Sequence, residues 1–281
     1  PLIDPESVVD IAREVLHRKD YITAAQFVEA ATPDLIRAVE RGIDDDEGLI
    51  RAGAYVHKGE VISYILRVIV ESNPSRVSRV VKTTAEGPTD LRLAALSVMY
   101  RVDHDIIATV AEVMFAETDP AVLGDLVRSY VDEGAAPELL TFAASFTSGT
   151  LDKLAANPVI GDDRILSAVI DAATVVRDGD VWRAALDIAG RTRPETQHRA
   201  VELIAELDAA QIATVPGLLT EVGLWSELIE LAARQDPELQ VRIARAFRGV
   251  LTDADRTAVG AALDGVEPPE SVLPLREALF E

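Results

Sequence analysis

The chain has 281 residues, 48% of them apolar but only 5% aromatic, and its 48 acidic and 27 basic side chains give a formal charge of −21. That charge argues against the nucleic acid backbone and anionic lipid as partners, because both need a basic face to displace counterions or to sit on a negative surface. Cysteine is absent, which removes disulfides, thiolate metal sites and cysteine nucleophiles together.

From the N-terminus onward, proline punctuates the chain. Asp4-Pro5-Glu6, Thr32-Pro33-Asp34, Asn73-Pro74-Ser75, Asp119-Pro120, Ala136-Pro137-Glu138, Arg193-Pro194-Glu195 and Asp236-Pro237-Glu238 each place it where a helix should begin. Proline at the first helical position loses nothing, since that N–H has no intrahelical partner. A preceding Asp, Asn or Thr can cap the free donors, and an acid just after it favours the positive helix end. Between these signals apolar residues recur at three and four, as at Val8, Ile11, Ala12, Val15 and Leu16. The pattern predicts helices over 5–18, 21–30, 33–41, 59–71, 75–83, 89–101, 104–116, 120–132, 137–146, 164–176, 180–190, 195–206, 217–233, 238–250 and 254–264, with a short one near 270–280. No stretch alternates as a strand. The longest apolar run, Val61 to Val70, contains Arg67 and falls short of the roughly 20 residues a membrane span needs. The opening PLIDPESVVD has neither the basic region nor the apolar core of a signal peptide, so a cytoplasmic protein is expected. A first residue other than Met fits removal of Met before Pro1, and fits equally a regulatory domain cut from a longer polypeptide. Abundant acid with scarce lysine suits a salt-adapted or high-GC organism.

The C-terminal third is written twice. Val181 to Arg199 returns 43 residues later as Leu224 to Arg242, matching Trp182 with Trp225, Ala189 with Ala232, Arg191 with Arg234, Pro194 with Pro237, Glu195 with Glu238, Gln197 with Gln240 and Arg199 with Arg242. A period of this length holding two helices is that of helical-hairpin repeats. Trp182 and Trp225 are expected to anchor the core of each copy. Glu195 and Arg199, and again Glu238 and Arg242, stand four apart in the favourable order for a local helix pair.

This Trp…Pro-Glu-x-Gln-x-Arg repeat resembles those of bacterial helical-hairpin repeat proteins, HEAT-like arrays and the superhelical N-terminal domain of MgtE-type magnesium transporters among them. The resemblance implies an all-α, right-handed solenoid of antiparallel hairpins, with its clearest copies at 181–223 and 224–266. One continuous domain over 1–281 is expected. With no CBS pair or membrane-spanning stretch in the sequence, the resemblance extends to architecture and not to transport.

Two patterns compete for function. Arg242, Arg245 and Arg248 are spaced by three on one helix, and Arg76, Arg79 and Lys82 repeat the spacing on another. With Gln197 and Gln240, whose register recurs, they are the expected contacts for a protein or peptide held by a non-catalytic scaffold. The alternative is an all-α metal-dependent enzyme with its site at Asp44-Asp45-Asp46-Glu47, where paired carboxylates would hold a divalent cation. Gly48 stands where an aspartate-rich metal motif needs its last Asp, and Gly42 and Gly48 point to a loop. Asp103-His104-Asp105 reads as a helix start, and Ser145 to Gly149 as a helix end passing into a turn. No nucleophile elbow, HExxH, phosphate loop or dinucleotide fingerprint occurs, so no cofactor is expected.

Overall fold

A computed structural model describes residues 5–280, and among these every regular element is a helix. The helices fall into two compact units. The first comprises the described residues up to Glu133 with Ser145–Thr150; the second comprises Gly134–Ala144 and the described residues from Leu151 onward.

The first unit contains α1 (Pro5–His17), α2 (Tyr21–Ala30), α3 (Pro33–Gly42), α4 (Asp46–Gly53), α5 (Gly59–Ser72), α6 (Pro74–Glu86), α7 (Thr89–Met99), α8 (His104–Glu117) and α9 (Pro120–Asp132). Within it α4 lies against α7, α5 against α8 and α6 against α9. Helices α1, α4, α5 and α6 each meet the one three places on, whereas α2 packs on α4 and α3 on α5. One apolar core joins Val8, Leu16, Val39, Ile43 and Ala52, and another forms around Val77, Val81 and Leu123.

The second unit contains α10 (Ala136–Ala143), most of α11 (Ser148–Ala156), α12 (Asp163–Val176), α13 (Gly179–Arg191), α14 (Pro194–Ala205), α15 (Ala209–Ile212), α16 (Val215–Val222), α17 (Trp225–Ala233), α18 (Pro237–Arg248), α19 (Asp253–Asp264) and α20 (Leu273–Phe280). The duplicated segments are α13–α14 and α17–α18. Equivalent helices pack together across the duplication, α13 on α17, α14 on α18 and α16 on α19.

Several side-chain links between helices span 39 to 44 residues. In the first unit Arg51 reaches Asp90 at 2.6 Å across 39 residues, Arg92 reaches Glu133 across 41, and the Ser63 hydroxyl accepts from the Asp103 N–H across 40. In the second, Arg191 meets Asp152 across 39 residues, Gln211 meets Asp171 across 40 and Arg234 reaches the Gly190 carbonyl across 44. Spacings of this size are consistent with a helical-repeat architecture.

Most proline-led starts stand where the sequence placed them. Asp119 and Asp236 supply the expected caps, accepting from Ala121 N and Leu239 N, whereas Thr32 and Asn73 make no side-chain cap. Asp4, the expected cap of the first helix, lies outside the described residues. Three expectations change. The acidic run is not a loop: Asp45 caps α4 by accepting from Gly48 N, and Asp46 and Glu47 occupy its first turn, where acid is favoured. Gly48 belongs inside that helix because a Cβ there would lie 2.2 Å from the capping carboxylate. The Ser145–Gly149 stretch likewise contains a helix start, that of α11, with Thr150 N donating to Thr147 Oγ1. The predicted helix 217–233 breaks at Gly223, whose φ of 70° ends α16 in the left-handed conformation.

Candidate functional site

The acidic run leads to the most buried charge in the first unit. Arg76, with its side chain 1% exposed, extends from α6 into the junction of α3 and α4. Its guanidinium donates to Asp46 Oδ1 at 3.0 Å and to the backbone carbonyls of Glu40 and Ile43 at the end of α3, with Glu40 Oε1 at 3.3 Å. Half-exposed Arg79 donates to the other oxygen of Asp46, and that hydrogen bond raises the Arg79 pKa above its ordinary value. Asp44 is exposed and lies 3.6 Å from Arg79, while Glu47 pairs with Arg51. The three aspartates expected to hold a metal are thus spent separately: Asp45 on a cap, Asp46 on two arginines, Asp44 at the surface. Among the described residues no group of three or more His, Asp or Glu is gathered in an arrangement that could hold a metal ion. The spacing-by-three pattern of Arg76, Arg79 and Lys82 is also not one surface. Arg76 points inward, and Lys82 is exposed with its Nζ 3.8 Å from Glu86.

The recurring glutamines have a shared structural role. Gln197 Nε2 donates to the carbonyls of Thr192 and Gly190, and Gln240 Nε2 donates to the carbonyl of Gln235 and to that of Ser271. In each copy the amide reaches five residues back to pin the turn that leads into the proline-started helix. Gln240 is buried, so it is not available at a surface.

The matched arginines do not make the local pairs that their spacing predicted. Arg199 turns away from Glu195, toward Asp163 of α12 at 3.6 Å and Glu202 at 3.1 Å. Arg242 turns away from Glu238 and reaches back to α14, meeting Glu202 at 3.2 Å and Glu206 at 3.0 Å. Burial pushes the Glu202 carboxyl up, but hydrogen bonds from Arg199 and Arg242 outweigh it and hold the group below its ordinary value. The result is a ladder of ion pairs across α12, α14 and α18 in which each arginine addresses the preceding helix.

The ladder ends at α18. The residues 43 places after Glu202 and Glu206 are Arg245 and Gly249, so α18 offers no carboxylate at those positions. Arg245 and Arg248 are exposed in its last turn, and among the described residues neither side chain meets a carboxylate. Arg256 of α19, not singled out by the sequence pattern, donates from Nη2 to the Arg248 carbonyl at 3.4 Å.

A second surface in the first unit was also missed. Tyr55 follows α4 and Tyr100 follows α7; both are large and about half exposed, at 47% and 55%. Arg101 donates to the carbonyls of Ala54 and Val56, which sets the ends of α4 and α7 side by side. Leu93, seven residues before Tyr100 on α7, is exposed as well. The 45-residue separation of the two tyrosines, near the repeat period, was the available signal. His104 Nδ1 lies 2.6 Å from Ser145 Oγ in the same unit, an exposed pair at the start of α8. Asp103, beside it, stands at the N-cap position but makes no side-chain cap. No single helix among the described residues is long and apolar enough to cross a membrane. No protein-family model matches the chain, and no curated protein shows significant similarity to it.

Proposed function

We propose that each unit is a run of right-handed solenoid repeats built from antiparallel helices, and that the protein is a non-catalytic cytoplasmic scaffold holding a protein or peptide partner. The observation that carries this reading is the row of Tyr55, Leu93 and Tyr100. It places an exposed aromatic at the end of each of two packed helices, α4 and α7, whereas the core aromatics Trp182 and Trp225 are buried. Tyrosine gives large contact area at small entropic cost and is enriched at binding surfaces. Stacked repeats present such rows along an extended face, and holding another macromolecule is their common use.

The test combines capture and calorimetry. The full chain, tagged and cross-linked in cells of its source organism, is expected to retain one partner that binds the purified protein again. Tyr55→Ala with Tyr100→Ala is expected to weaken that binding tenfold or more, the scale of one lost hot spot. Micromolar binding of magnesium or manganese, abolished by Asp44→Ala with Asp45→Ala, would instead support the enzyme reading and overturn the scaffold.

A further inference from the structure

We propose that Arg245, Arg248 and Arg256 form a docking surface for an acidic protein segment, one that presents two or three carboxylates within a single helical turn. The proposal rests on the scaffold reading and names the chemistry of a partner.

Along the ladder, Glu202 and Glu206 of α14 receive Arg242 of α18. At the equivalent places α18 carries Arg245 and Gly249; α20 packs on α18, but its Arg276 pairs with Asp264 and neither exposed arginine meets a carboxylate, so the complementary acid is assigned to a partner. Residues three apart are neighbours on a helix surface, which puts the Arg245 and Arg248 side chains on one face. The hydrogen bond from Arg256 to the Arg248 carbonyl sets a third guanidinium beside them. Most arginines in this acid-rich chain find carboxylates, as Arg51, Arg76, Arg79, Arg92, Arg191, Arg199 and Arg242 do. The acids nearest along the chain are otherwise placed: Asp255 is buried and accepts from Thr220 and Thr252, and Asp253 lies in the first turn of α19, where it favours the helix N-terminus. Cations in the last turn of α18 also suit that helix's negative end, but this does not call for a third arginine from α19.

Guanidinium binds carboxylate through paired N–H donors, a geometry that selects planar acids. A long polyanion would meet the −21 charge along its length, whereas a short acidic segment meets the basic corner within a Debye length of about 8 Å.

The experiment is fluorescence anisotropy with a labelled alanine-based helical peptide carrying Glu at positions i, i+3 and i+4, and a Gln version as control. The Glu peptide is expected to bind the full chain, more weakly as salt rises, and the Gln peptide to bind at least tenfold more weakly. Arg245→Glu with Arg248→Glu is expected to cost tenfold or more in affinity with unchanged circular dichroism, while Arg67→Glu with Arg193→Glu leaves binding intact. Equal binding by the Arg245/Arg248 variant, or by the Gln peptide, overturns the proposal. Displacement by pyrophosphate at the peptide's own concentration also overturns it, marking an inorganic anion site. A captured partner that binds the Arg245/Arg248 variant as tightly as the unaltered chain overturns this surface and leaves the scaffold reading standing.

Discussion

Arg76→Met is expected to destabilise the protein by about 3–5 kcal/mol, the cost of removing one member of a buried ion pair and stranding the other. Two buried carboxylates would lose this partner here, since the side chains of Glu40 and Asp46 are 3% and 4% exposed. The backbone carbonyls of Glu40 and Ile43 would lose their donors as well. Arg79 still reaches Asp46, so Glu40 carries the larger share of the penalty. Its Oε2 is already buried without a hydrogen-bond partner, leaving nothing to take up the charge. Glu40→Gln and Asp46→Asn, added to Arg76→Met, are therefore expected to recover part of the loss, because neutral amides cost less to bury than charges. Urea denaturation of the three proteins measures this. A single Arg76→Met variant within about 0.5 kcal/mol of the unaltered protein, the range of ordinary surface substitutions, would contradict the account.

Trp182→Ala is expected to cost a similar about 3–5 kcal/mol, from lost burial and the cavity left in the core of the second unit. The paired tryptophans separate packing from hydrogen bonding. Trp225 Nε1 donates to Thr220 Oγ1 at 2.8 Å, and Thr220 in turn donates to Asp255, which closes the capping box of α19. Trp225 also packs edge-on against Phe247, with ring centroids 5.5 Å apart. Trp182 is fully buried and its Nε1 has no hydrogen-bond partner. The reason lies in the sequence: 43 residues before Thr220 and Asp255 stand Arg177 and Ile212. Removing an unsatisfied donor is nearly free, whereas removing a satisfied one strands its partner at about 1–3 kcal/mol. Trp225→Phe is thus expected to be the more damaging of the two phenylalanine substitutions. Denaturation midpoints in the reverse order would show that the Trp225–Thr220 hydrogen bond contributes nothing.

Local chemistry was the legible part of this protein. Proline with a flanking acid marked most helix starts, and the duplication marked equivalent helices, because both signals lie within a few residues or at a fixed period. The acidic run misled, since Gly48 reads as a breaker until the Asp45 carboxylate is placed where a Cβ would sit. Arg76 and Arg79 carry the same pattern in sequence. Only the neighbouring α3–α4 junction makes one of them buried and the other half-exposed. Glu195–Arg199 and Glu238–Arg242 have ideal spacing for a local pair, yet exposed pairs of this type are worth only about 0.3–0.5 kcal/mol. Acids on an adjacent helix outcompete them, and a single sequence does not show which helix is adjacent. The glutamines at 197 and 240 announced a shared role through their register, but the carbonyls they hold became visible only with the turn in place.

The repeat account is tested most directly by excising one copy. If α13 and α17 are equivalent units that touch only their neighbours, deleting residues 181–223 joins Asp180 to Leu224 and brings α17 and α18 against α12 where α13 and α14 now pack. The expected result is unchanged helicity per residue by circular dichroism and a single cooperative thermal transition, at a lower midpoint because one interface is lost. Loss of helicity, or unfolding without a cooperative transition, would contradict the claim that these segments are interchangeable repeats.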